Sequence, residues 1–266
     1  MENLCSYALV TGASSGIGAV YADRLAHRGY DLVLVARRAD RLSQLAAELR
    51  DKYEIDVEVL AADLSTQHGI EVVERRIENG PTIDLLINNA GIPAGATITA
   101  ASPADIDRII DINIRAVARL AAAAGRMMKG RRAGAIVNVA SVMAFMPEVA
   151  RSLYGASKAF VISLSQNLQA EMAGQGVYVQ AVLPAATRTD IWTIAGRDVE
   201  EIAGMMEVTD LVDAALAGFD QQELVTFPSL PNVGLWNEYE VLRQEIAANV
   251  SNEKPADRYG KAELVE

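Results

Sequence analysis

The chain has 266 residues, 51% of them hydrophobic, a formal net charge of −11, one cysteine and two histidines. That is enough to bury a real core in one large α/β domain or two small ones. The acidic balance argues against a nucleic-acid or phospholipid surface. Cys5 alone allows no intrachain disulfide and no cysteine-based metal site, and no apolar run approaches the roughly 18 residues of a membrane span.

The opening stretch MENLCSYALVTG has neither a basic n-region nor a small-residue cleavage site, so a cytoplasmic protein without a signal peptide is expected. A short apolar run, YALVTG (7–12), is the first predicted strand. Runs of the same type follow at 31–37, 56–64, 83–91, 134–141, 177–185 and 223–227. Most are continuous rather than alternating, the pattern of strands covered on both faces of a parallel sheet. Helical stretches lie between them at 18–29, 38–53, 65–80, 102–128 and 151–174. Ser102 and Pro103 form an N-cap and first-position pair, and Gly29 and Gly80 close their helices.

This alternation predicts a doubly wound parallel α/β domain over residues 1–248, with a polar tail at 249–266. Residues 186–207 interrupt the rhythm beyond a strand's carboxyl end, where such sheets hold ligands. Either a lid or a plain surface connection satisfies that spacing.

TGASSGIG (11–18) joins the first strand to the first helix. Gly12, Gly16 and Gly18 allow a tight turn and close backbone approach to a pyrophosphate, whose charge the helix N-terminus favours. Ser14, Ser15 and Ile17 complete the expected cradle. The second strand ends without the acidic residue that would bind a ribose 2′-hydroxyl. Ala36 is followed by Arg37 and Arg38, which suit a 2′-phosphate. NADP(H) is therefore expected rather than NAD.

Neither His27 nor His68 has a second catalytic group nearby in sequence, so proton transfer is expected from another residue type. SLYGASKAF (152–160) places Tyr154 four residues before Lys158, on one helical face. Ser141 lies thirteen residues upstream at a strand's carboxyl end.

Taken in order, TGASSGIG, Asp63, NNAG (88–91), Asn113, Ser141, Tyr154, Lys158 and Pro184 resemble the short-chain dehydrogenase/reductase family over about residues 5–230. The resemblance implies a Rossmann-type sheet and a catalytic set of Asn113, Ser141, Tyr154 and Lys158. Tyr154 would be the general acid in reduction, its phenol made more acidic by Lys158 and the nicotinamide ring. Ser141 would bond the carbonyl oxygen, and Asn113 would position a water. Asp63 and Leu64 would border the adenine, and Asn89, Ala90 and Gly91 the ribose. Pro184, Thr187 and Thr189 would hold the carboxamide side, with Lys158 on the nicotinamide ribose. Ala185 stands where the family usually has glycine.

Val142, Met143, Phe145 and Met146, with Trp192, are expected either to line an apolar substrate pocket beside Ser141 and Tyr154 or in part simply to pack the core, with Arg151 as a surface cation near it. The expected partner is a small-molecule carbonyl or alcohol, with no nucleic acid and no membrane. A homodimer or homotetramer through the two long helices is implied by the resemblance. Two alternatives stand beside the reductase reading. One is a ketoacyl-carrier-protein reductase docking on Arg126, Lys129, Arg131 and Arg132. The other is a cofactor-sensing protein without turnover.

Overall fold

A computed structural model describes residues 6–150, 152–189, 192, 202 and 204–259. Seven strands form one sheet: β1 (Tyr7–Thr11), β2 (Asp31–Ala36), β3 (Val57–Ala61), β4 (Ile83–Asn88), β5 (Gly134–Val139), β6 (Val177–Val182) and β7 (Val225–Thr226). Their order is β3-β2-β1-β4-β5-β6-β7, and every pair is parallel. The order reverses between β1 and β4. Connections leave the sheet in opposite directions there and open a crevice at the strands' carboxyl ends.

The helices are α1 (Gly16–His27), α2 (Ala39–Tyr53), α3 (Gln67–Glu78), α4 (Pro103–Ile109), α5 (Val117–Arg131), α6 (Pro147–Ala150), α7 (Leu153–Met172), α8 (Val208–Asp220) and α9 (Gly234–Asn249). Helices α1, α2 and α8 cover one face, with Tyr21, Leu25, Leu42 and Leu211 packed on Ala8, Val10, Leu32 and Leu34. Helices α3, α5 and α7 cover the other, with Ile70, Leu120, Met128 and Leu168 packed on Leu9, Val33, Val35 and Leu86. Successive residues of β1 and β2 thus enter opposite cores, which is why both strands read as unbroken apolar runs. Burying a Leu or Ile of this kind contributes about 1.5–3 kcal/mol.

The helix expected over 102–128 is interrupted. Ser102 caps it as predicted, its hydroxyl accepting from Asp105 N at 3.2 Å with Pro103 behind it. Residues Ile110–Ala116 then wind as a π-helix before α5 begins. A wider turn of this sort re-aims one side chain, and here it surrounds Asn113.

The chain divides into two compact units, Met1–Ser229 and Leu230–Glu266. The first holds the whole sheet. The second contains α9, in which no residue is buried, and a short 3-10 turn, Asp257–Tyr259. Most of the segment expected as a lid (residues 190, 191, 193–201 and 203), together with Arg151 and the tail from 260 to 266, lies outside the described residues. Among the described residues no helix is long and apolar enough to cross a membrane.

Candidate active site

The cofactor side begins where β1 enters the glycine loop. The buried Thr11 hydroxyl donates to Ile87 O (3.2 Å) and accepts from Asn89 N and Ala90 N (both 3.0 Å). The Asn89 carboxamide answers by donating to Thr11 O at 2.9 Å. NNAG is thereby fastened to TGASSGIG, although 78 residues separate Thr11 and Asn89. Gly12 has φ +69°, and a Cβ there would lie 2.8 Å from Asn89 Nδ2. A Cβ on Gly18 would collide with the Gly12 carbonyl. These two glycines close the loop on itself. Ser15 opens α1 in extended conformation without a side-chain cap, which leaves the first-turn amides for an anion. The Thr189 side chain reaches this loop, 3.3 Å from where a Gly16 Cβ would stand.

The two arginines separate. Arg38 Nη2 donates to Ser14 Oγ (2.8 Å) and Ser15 Oγ (2.9 Å), and its Nε reaches Ser14 Oγ at 3.2 Å. Arg37 lies on the side of Asp63. Partial burial would raise that carboxyl, but bonds from Ser65 and the charges of Arg37 and Arg108 hold it below its ordinary value. Leu64 turns its side chain into the core.

Four residues converge on the sheet's carboxyl edge. Asn113 is fully buried; its Oδ1 accepts from Ile92 N (2.9 Å), and its Nδ2 donates to Ile92 O (3.0 Å) and Ser157 Oγ (3.1 Å). Ser157 in turn donates to Tyr154 O at 2.7 Å. Ser141 follows β5; its hydroxyl donates to Pro184 O (3.3 Å), accepts from Met143 N (3.2 Å) and favours the ionised form of the nearby Tyr154 phenol. Lys158 is buried, and its Nζ donates to Val139 O (2.8 Å), 5.7 Å from the centre of the Tyr154 ring. Gly91 packs closely here: a Cβ on it would lie 3.3 Å from that Nζ.

Lys158 and the nicotinamide ring together were expected to make the Tyr154 phenol more acidic. In the chain by itself, burial pushes Tyr154 above its ordinary value, with the Ser141 hydroxyl opposing, and burial pushes Lys158 down to about 8. Both groups pay desolvation, and among the described residues no carboxylate pairs with the amine.

On the substrate side, Met143 is half-buried and Met146 is 40% exposed on the turn after Ser141. Thr187 is buried, its hydroxyl on Ala185 O (3.0 Å), and Trp192 Nε1 donates to Thr187 O at 2.7 Å. The indole is thus held to the backbone of the segment after β6.

A family model described as short chain dehydrogenase matches residues 6–200. The chain belongs to the short-chain dehydrogenase/reductase family. It is an oxidoreductase of that family, built to bind a nicotinamide cofactor. A short-chain dehydrogenase from Sphingobium yanoikuyae, solved with NADPH, is 49% identical, with a TM-score of 0.94 over 96% of this chain and 99% of the other. A bulky-bulky ketone specific alcohol dehydrogenase from Comamonas testosteroni is 42% identical, with a TM-score of 0.91 over 97% and 100%. An uncharacterised oxidoreductase of Staphylococcus saprophyticus is 33% identical over 80% of this chain and 91% of its own length.

Sequence reasoning on this dehydrogenase missed Ser157. The signal was its place three residues after Tyr154, one turn along the same helix, but serine is too common for that spacing to speak alone.

Proposed function

We propose that the protein is an NADPH-dependent carbonyl reductase that converts a small-molecule ketone or aldehyde to its alcohol, reversibly. The observation that carries this is the meeting of Ser141, Tyr154 and Lys158 at the sheet's carboxyl edge, beside a glycine loop shaped for a pyrophosphate. NADPH, when bound, supplies the hydride. Tyr154 donates its phenolic proton to the carbonyl oxygen, and Ser141 Oγ bonds that oxygen as charge gathers on it. Burial keeps Tyr154 protonated, which suits the reducing direction. The Lys158 amine binds nicotinamide-ribose hydroxyls. The Asn113 carboxamide, committed to Ile92 and Ser157, holds the β4 exit and α7 in register.

The choice of NADPH over NADH rests on Arg38. Its guanidinium already stands over Ser14 and Ser15, and together the three present donors to a 2′-phosphate. The NADPH complex of the Sphingobium relative supports the same choice, and the ketone specificity of the Comamonas relative supports a carbonyl substrate. Exposed Ala122, Ala156 and Ala159 leave α5 and α7 room for the close packing of a homo-oligomer.

A carrier-docking role for the basic cluster loses support. Arg126 pairs with Glu78, Lys129 with Glu171 and Arg131 with Asp84, while Arg132 donates to Gly174 O. The cluster also lies at the amino ends of β4 and β5, away from Tyr154.

Fluorescence titration with NADPH and NADH tests the cofactor. Tight NADPH binding is expected, weakened about 10- to 100-fold in Arg38→Ala with NADH unaffected. Equal affinity of the unaltered protein for both cofactors would sink the NADPH assignment.

A further inference from the structure

A chain of buried polar groups crosses the face of the sheet that α3, α5 and α7 cover. Asn88 on β4 and Asn138 on β5 stand opposite each other in the sheet. Asn88 Nδ2 donates to Asn138 Oδ1 (3.0 Å), and Asn138 Nδ2 donates to Ser165 Oγ on α7 (3.0 Å). Ser165 Oγ donates in turn to Val161 O at 2.7 Å, and Asn88 Nδ2 reaches Val117 O, at the start of α5, at 3.4 Å. Asn138 and Ser165 are fully buried, and Asn88 is 2% exposed.

Apolar side chains would fill these positions without the cost of desolvating two amides and a hydroxyl. A buried polar network whose members find their partners fixes one arrangement of the elements it joins. None of these three side chains leaves a buried atom without a partner. The arrangement fixed here is that of α7 on β5. Lys158 Nζ holds Val139 O, and two turns further along the helix Ser165 holds the side chain of Asn138, the neighbouring strand residue. Tyr154, Lys158, Val161 and Ser165 recur at helical spacing and share one face of α7. Lys158 reaches its carbonyl on a flexible four-carbon stem, which tolerates a shift of the helix. Asn138 and Ser165 have short side chains, and their bond tolerates little. The short contact therefore sets the rotation and axial position of α7, and the long one follows.

We propose that Asn138 and Ser165 are positioning residues that set the register of α7 on β5 and so place Tyr154 and Lys158 in the crevice. The kinetic effect rests on the carbonyl-reductase reading above; the placement of the lysine does not.

The test has two readouts. One is NADPH-driven reduction of 1-phenylpentan-1-one and butan-2-one. The other is titration of the Lys158 amine by NMR of protein carrying isotope-labelled lysine, its signal assigned through Lys158→Met. Tyr154 is the ionisable side chain beside that amine. Ser165→Ala removes the acceptor and is expected to lower kcat about tenfold, with KM within about twofold of the unaltered protein. A loosened helix lets water reach the amine, so its midpoint should rise from about 8 toward the ordinary value. Ser165→Thr keeps the hydroxyl and should hold kcat within about twofold. Asn138→Ala should act like Ser165→Ala, and the double variant should lose no more, as for two groups in one contact. Ile136→Val, a buried change on the same strand and face, controls for plain destabilisation. It should melt lower yet leave kcat and the Lys158 midpoint unchanged.

A Ser165→Ala protein with kcat within about twofold of the unaltered one and an unmoved midpoint overturns the positioning role and leaves the reductase standing. Equal changes in Ile136→Val overturn it as well. An unaltered protein that binds NADPH tightly and reduces neither ketone overturns the reductase reading. The Lys158 midpoint then decides the positioning role: a rise confined to the Asn138 and Ser165 variants upholds it, and an unmoved midpoint overturns it.

Discussion

The two ends of the sheet handle polar groups in opposite ways. At the amino end, charges are matched: Arg76 Nε meets Glu58 at 2.6 Å and its Nη1 reaches Pro81 O at 2.9 Å, Arg131 reaches Asp84 and Ile83 O, and Tyr7 donates to Asp56. At the carboxyl end, Lys158 is buried against a backbone carbonyl, Tyr154 is partly buried near a serine, and the first turn of α1 carries no acidic residue or side-chain cap. The amino end pairs most of its charges within the chain and contributes stability, while Arg76 Nη2 and Arg131 Nε stay buried without a hydrogen-bond partner. The carboxyl end holds donors and ionisable groups whose fullest partners come from outside the chain, at a cost in folding energy that the rest of the sheet covers.

Breaking the carboxyl end at its proton donor should have the largest effect. Tyr154→Phe is expected to lower kcat for ketone reduction about 10²- to 10⁴-fold. NADPH affinity, read by fluorescence, should stay close to that of the unaltered protein. Retained turnover would mean that another group delivers the proton.

The next effect is on pH. Lys158 titrates at about 8 in the folded chain, below its ordinary value of 10.5. Below about 8 the buried amine is charged, and its desolvation cost is fully present. Between about 8 and 10.5 the unfolded chain binds the proton that the folded chain has lost, so this group's contribution to stability improves as pH rises. Lys158→Met should therefore melt higher than the unaltered protein near neutral pH, with the gap narrowing toward pH ~10. If the charged amine holds the ribose as proposed, NADPH affinity should decline as pH climbs through about 8. A melting gap that does not change with pH would contradict the depressed value.

Ser157→Ala sharpens the comparison at a single bridge. It removes the acceptor for Asn113 Nδ2 and the donor to Tyr154 O. A fall of about 3- to 10-fold in kcat is expected, as for one or two buried hydrogen bonds. A shifted pH profile of kcat, with NADPH affinity held, would separate positioning of Tyr154 from general loosening. The smallest effect belongs to the amino end. Lys129→Ala removes an exposed pair with Glu171 and should cost no more than about 1 kcal/mol by denaturant melting, with kcat/KM unchanged.

Legibility in the sequence followed the range of the interactions. The phosphate loop could be read because its requirements are local: glycines at fixed offsets between a strand and a helix. The order of arginines could not. Arg37 and Arg38 are neighbours, and only the path of the chain from β2 into α2 puts Arg38 over the serines and Arg37 toward Asp63. The helix over 102–128 was expected unbroken because its apolar spacing is helical throughout. The π-turn accompanies Asn113's bonds to Ile92, a residue from another element that periodicity does not reveal.

Local chemistry along the chain was enough to establish seven apolar strands, the helices between most of them, the glycine loop, and a tyrosine and lysine one turn apart. Each of these depends on residues within a turn or a strand of one another. The tertiary structure decided which ends of the strands meet, that burial raises Tyr154 and lowers Lys158, that Ser157 bridges Asn113 to α7, and that Phe145 finds Phe227. Desolvation and ring contact depend on what the rest of the chain brings alongside, and no sequence spacing encodes that by itself.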